Sequence, residues 1–193
     1  MIRVHHTLVT LSFLFLCLPV RAADVEVSTA ADGWDFSQSS AALTAQCSEV
    51  LEQAHKALAV LEEDTAPATL ERVYGAHDAM MLGLQRIQHV SYMKSVHPDT
   101  AVQKAAENCI RDYSDFAVSM NISPAFYRRV AAIDTKNLSS GERLMVENRL
   151  RDFRQMGVDR DQATRDQVRR LIAEITELGT RFDRAIREDR RFV

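Results

Sequence analysis

Between Leu43 and Ile186 the apolar residues recur at intervals of three and four, and no useful run alternates strictly between apolar and polar. That period lines side chains along one stripe of an α-helix, whereas a half-buried strand needs a period of two. The first stripe is Leu43, Cys47, Val50, Leu51, Ala54, Leu58 and Leu61, and the second is Leu70, Val73, Tyr74, His77, Met80, Met81, Leu84 and Ile87. A third holds Val102, Ala105, Ala106, Cys109, Tyr113, Phe116 and Met120. Shorter ones follow at Phe126, Val130, Ile133 and at Val146, Leu150, Phe153. The last is long, through Val168, Leu171, Ile172, Ile175, Leu178, Phe182 and Ile186. With only 6 Gly and 4 Pro in 193 residues, a sandwich or barrel would lack its tight turns. The expected fold is all-α, an antiparallel array of about six helices joined by short loops.

Punctuation between the stripes sets the expected ends. Asp35 or Ser37 can cap the first helix, and Pro67 suits the first turn of the second. The second helix should run unbroken until His97-Pro98, because a residue before proline is pushed out of helical geometry. Ser123-Pro124 opens the fourth helix and Ser139 or Ser140 the fifth. Gly157 suits a left-handed terminator, and Asp159 or Asp161 can open the last helix. No internal repeat is visible, and the uneven spacing excludes a solenoid.

Residues 1–22 read as a secretory signal peptide rather than as part of the fold. Arg3, His5 and His6 precede an apolar run over residues 7–20, "TLVTLSFLFLCLPV", too short for a span of about 20 apolar residues. Val20 and Ala22 supply the small residues of a cleavage site, and Cys17 lacks the small neighbours of a lipoprotein box. The chain from residue 23 onward is therefore expected to be exported, either periplasmic or secreted, with no membrane attachment after cleavage. Cleavage would remove Arg3 and Arg21 and no acid, making a chain of formal net charge −3 more acidic still. The arginines between Arg143 and Arg191 are interleaved with carboxylates, a pattern of solvated helix faces that gives no nucleic-acid patch. Two cysteines remain, Cys47 and Cys109. In an oxidising compartment they can form a disulfide, or each can lie as a buried thiol on its own apolar stripe.

Residue chemistry offers no complete catalytic set. A zinc peptidase helix needs His-Glu-x-x-His, since positions i and i+4 turn both imidazoles to one face with a general base between. None of His5, His6, His55, His77, His89 or His97 begins that motif. His77 and His89 lie three turns apart on the expected second helix, too far to share a metal. No GxSxG, CxxC or phosphate-cradling glycine loop is present. Glu62-Glu63 and Glu188-Asp189 read as solvated carboxylates at helix ends, and Phe126-Tyr127-Arg128-Arg129 as core beside surface. No residue is assigned a catalytic or metal-binding role.

Four segments carry a resemblance. "GWDFS" at residues 33–37 looks like a Trp-Asp-Leu-Ser entry into a first helix. Residues 97–130, "HPDTAVQKAAENCIRDYSDFAVSMNISPAFYRRV", resemble a stretch with an alanine pair followed by Phe, Met, Leu or Ile, and Tyr. Residues 143–158, "RLMVENRLRDFRQMGV", are similar to Arg-x-(Val/Leu)-Glu leading to Phe-x-x-x-Gly. Residues 178–193, "LGTRFDRAIREDRRFV", resemble Phe-x-x-Asn-(Leu/Ile)-x-Glu-Asp-x-x-Phe, with Arg184-Ala185 departing where asparagine is usual. In this order and spacing the segments resemble the N-terminal helical region of the thimet oligopeptidase family of zinc metallopeptidases, the neurolysin, oligopeptidase A and dipeptidyl carboxypeptidase type.

The resemblance implies a channel-wall or cap region over residues 23–193, truncated before the catalytic domain. That missing C-terminal domain would hold the zinc and would be the first partner; short peptides would be the second. On this reading the chain itself is inactive and carries no cofactor, and the stripe from Val168 to Ile186 packs partly against the rest of such an enzyme. The alternative is a stand-alone periplasmic helical module that binds peptides or a protein.

Overall fold

The computed structural model describes residues 35–189. The expected leader at residues 1–22, the first two residues of the GWDFS segment and the terminal 190–193 lie outside the described residues. The described chain is all-α, with seven α-helices and no strand. They are α1 (Ser40–Glu63), α2 (Leu70–Leu84), α3 (Val90–Val96), α4 (Thr100–Asn121), α5 (Pro124–Ala131), α6 (Ser140–Gln155) and α7 (Gln162–Glu188). A single 3-10 turn, Gln85–Ile87, follows α2.

Local chemistry explains most of the ends. Side chains of Ser39, Thr69, Asp99, Ser123, Ser139 and Asp161 each accept a hydrogen bond from a free amide of the first turn that follows. Ser139 and Glu142 form a reciprocal capping box, and Pro124 occupies the first turn of α5. Gly157 stops α6 at φ +82, where a side chain would be strained. Two expected ends move. Asp35 instead closes a turn by accepting from Ser37, leaving Ser39 as the cap of α1. Pro67 lies in the α1–α2 connection, and α2 begins only at Leu70.

The second helix was expected to be continuous and is not. It breaks after Leu84 into the 3-10 turn, and α3 restarts at Val90. The apolar period survives the break, because Leu84, Ile87, Val90 and Met93 are all buried. Periodicity reports which side chains face inward, but a tighter turn can interrupt the α-helix without changing that order.

Helices α1 and α4 pack along the centre of the fold; α2 lies against α1, α3 and α7 lie against α4, and α5 joins α1 to α6. The buried face of α1 is the expected set, from Leu43 through Cys47 to Leu61. On α4, Tyr113 lies exposed where it was expected inside, while Glu107 and Val118 are buried. Cys47 of α1 and Cys109 of α4 are joined as a disulfide, their Cα atoms 5.8 Å apart, in the middle of this seam. The bridge spans a sequence separation of 62 residues. Closing so long a loop in the unfolded chain removes much of its freedom. Replacing both cysteines by serine should therefore lower unfolding free energy by roughly 2–4 kcal/mol, read from urea melts of the disulfide-bonded protein and the variant.

A second tie sits at the end of α1. Asp64 accepts from Arg72 of α2 at 2.6 Å and from Arg129 of α5 at 2.9 Å, and Arg129 also donates to the Ala66 carbonyl at 2.8 Å. The Arg72 hydrogen bond, the Ala66 amide and the two guanidinium charges hold the Asp64 carboxyl at about 2, below its ordinary 3.8. A carboxyl lowered on folding stabilises the fold fully above its unfolded value, and that share is lost as pH falls through the folded one. Asp64→Asn should thus destabilise near neutral pH, and the gap between variant and parent urea midpoints should close on acidification from about pH 4 to pH 2.

Candidate interaction surface

Helix α7 is attached to the body by polar contacts. Lys94 of α3 donates to Asp183 at 2.7 Å, Arg111 of α4 to Glu177 at 3.3 Å, and the hydroxyls of Ser114 and Thr176 lie 3.1 Å apart. At the centre of this seam Glu107 of α4, only 3% exposed, binds Arg184, and also Arg187 at 2.9 Å. Burial raises the Glu107 carboxyl, but the hydrogen bonds from Arg184 and Arg187, aided by the charges of Arg184 and Lys104, bring it below the usual value. Two guanidinium groups are the partners such a buried carboxylate needs to stay ionised.

With its polar side turned inward, α7 has no fully buried residue. The stripe expected to pack partly against the rest of a larger enzyme faces out: Leu171, Ile175, Leu178, Phe182 and Ile186 are 49–66% exposed, and only Val168 and Ile172 are half-buried. A contiguous apolar ridge of this kind is an unusual feature for a free surface and marks a place for a partner. It is the strongest candidate for function in the described chain.

The residues weighed for chemistry lie apart. His77 stacks on Phe126 with ring centroids 5.7 Å apart, and burial lowers its basicity despite an Asp78 carboxylate at 3.3 Å. His89 is not on the same helix; it sits fully buried just before α3, its ring T-shaped to that of Phe36. His55 meets the ring edge of Phe116. Phe126 and Phe153 pack edge to face in the core, and the Arg149 guanidinium lies 4.4 Å over the Phe153 ring. Arg129 is tied to Asp64, and Glu62 accepts from the Ser123 hydroxyl, so these polar groups brace helix ends. Among the described residues no three His, Cys, Asp or Glu side chains gather to hold a metal ion. No described helix is long and apolar enough to cross a membrane.

A groove of about 430 Å³ adjoins the α7 seam, lined by Leu84, Ile87, Val90, Tyr92, Ile110 and Tyr113 with Lys94 at its edge. Its walls are mostly apolar, with Gln88 and Ser91 also among them, so it could take an apolar side chain. The apolar ridge is legible in the amino-acid sequence; the polar latch behind it is not. The available signal was Glu107, a carboxylate at a position flanked by the inward residues Ala106 and Cys109.

No protein-family model and no characterised protein matches this chain in sequence.

The latch gives a local prediction. Glu107→Ala should leave the α1–α4 core melting nearly unchanged, because Arg184 and Arg187 can swing into solvent, and should release the C-terminal half of α7. Amide exchange in residues 176–188 should then quicken by at least about tenfold while α1 stays protected. Unchanged protection there would show that the latch does not hold the helix.

Proposed function

We propose that this chain is the N-terminal helical region of an exported zinc-dependent oligopeptidase of the thimet oligopeptidase type. It would form part of the wall or cap of a peptide channel and carry no catalysis itself. The observation that carries the reading is α7: a 27-residue helix bound to its own body by ion pairs, with an apolar ridge turned outward. A helix built this way has one more element to meet, and in such a peptidase the catalytic part would meet it.

The resemblance adds support residue by residue. Its longest segment, residues 97–130, covers α4 and α5, which build the core, and its Phe-x-x-x-Gly falls on Phe153 and Gly157, a core ring and a left-handed helix stop. Zinc belongs to the parent enzyme on this reading, held by a His-Glu-x-x-His helix outside this sequence, and short peptides are its substrates.

Two measurements test the proposal. Purified protein incubated with zinc and a mixture of oligopeptides should give no cleavage products by mass spectrometry, and turnover would overturn the non-catalytic role. The coding DNA beyond the Val193 codon should encode His-Glu-x-x-His in a continuing or shifted frame. Its absence would favour an independent helical binding module.

A further inference from the structure

The outward face of α7 follows a heptad, not just an apolar stripe. Val168, Ile175 and Phe182 repeat every seven residues, and Leu171, Leu178 and Ala185 repeat in the same step, offset by three. This is the a/d pattern of a coiled-coil seam, with spacing of alternately three and four. From Leu171 onward every one of these positions is exposed. The latch residues Thr176, Glu177, Asp183, Arg184 and Arg187 occupy other heptad positions, so the seam is left whole when α7 is docked.

We propose that a second copy of this chain covers the ridge, with the two α7 helices antiparallel about a two-fold axis passing between Thr176 and Glu177. The sequence of α7 is self-complementary about that point. Ile175 meets Leu178 of the second copy, Leu171 meets Phe182, and Val168 meets Ala185, a larger residue opposite a smaller one toward each end. The flanking positions match as well. Glu174 and Arg181 are both exposed and oppose each other across the axis twice, so two opposite-charge pairs bracket the seam. On the other flank Ile172 falls opposite Gly179, where no atom lies within 4 Å of the space a side chain would take.

A parallel pair loses these matches. It would set Phe182 against Phe182, and would place Glu174 opposite Gly179 and Arg181 opposite Ile186, with no charge pair. The antiparallel register is therefore the one the charges select. The inference does not rest on the peptidase reading and gives the ridge a different occupant: a second copy and a catalytic part cannot both cover this face.

The test is sedimentation equilibrium of the purified, oxidised protein with four variants, each checked for helicity by circular dichroism. The parent should sediment at twice the mass of one chain, and Leu178→Asp, at an exposed position, should sediment as one chain. Glu174→Arg alone sets Arg against Arg181 twice, and Arg181→Glu alone sets Glu against Glu174 twice. Each should weaken the dimer by about tenfold. The double variant Glu174→Arg/Arg181→Glu should restore it, and an equimolar mixture of the two single variants should form a mixed dimer tighter than either alone. A parent that stays monomeric at about 100 µM, a concentration where standard specific interfaces are occupied, overturns the proposal. So does a dimer whose dissociation constant ignores both reversals. A dimer would assign the ridge to a second copy and take the α7 observation away from the peptidase reading, whereas a monomer leaves it in place; the downstream frame decides that reading by itself.

Discussion

The apolar seam between α1 and α4 is the contact on which the rest of the described structure depends. Both helices bury a full stripe, and the Cys47–Cys109 bridge joins them at its middle. Helices α2 and α5 lie on α1, while α3 and α7 lie on α4; only α6 reaches the pair through an intermediary, α5. Burial of large side chains supplies most of the favourable free energy of such a fold, at about 1.5–3 kcal/mol for each fully buried Leu, Val or Phe. That driving force acts on α1 to α6 and leaves α7 nearly untouched.

Helix α7 is held by a different physics. Its contacts to α3 and α4 are ion pairs and hydroxyl contacts arranged around one buried carboxylate, Glu107. Charge pairs with one solvent-exposed partner contribute modestly and weaken with salt, so they orient the helix more than they stabilise it. Orientation is the consequence that matters here. By turning Asp183, Arg184 and Arg187 inward, the helix presents Leu171, Ile175, Leu178 and Phe182 outward. Whatever covers that ridge, be it the catalytic part of a peptidase or a second copy, meets a surface already arranged for it.

Much of the fold was legible in the residues, and the exceptions share a cause. The stripe of α1 is buried as the spacing predicts, and Ser123-Pro124, Ser139 with Glu142, and Gly157 mark helix ends where local chemistry demands them. These depend on neighbours within one turn. The break at Gln85 left no mark, because Leu84, Ile87 and Val90 keep an apolar period across it. The polar latch that orients α7 was equally hidden. An amphipathic helix shows which residues form its apolar face, but the side that meets the body is set by Arg184 and Arg187 finding Glu107, about eighty positions earlier in the chain. The ridge was visible as a stripe and was expected to meet something beyond this body; the latch that turns it outward was not visible.

The orientation of α7 is also the point at which the account is most directly exposed to experiment. In the structure the side chains of Ser114 and Thr176 touch, whereas Leu178 points away from α4. A protein carrying Ser114→Cys with Thr176→Cys, oxidised mildly and mapped by peptide mass spectrometry, should form an intrachain bridge between positions 114 and 176 beside the intact Cys47–Cys109 bond. A protein carrying Ser114→Cys with Leu178→Cys should form none. Bridging through position 178 and not through 176 would mean that α7 turns its apolar ridge inward, and would contradict the account.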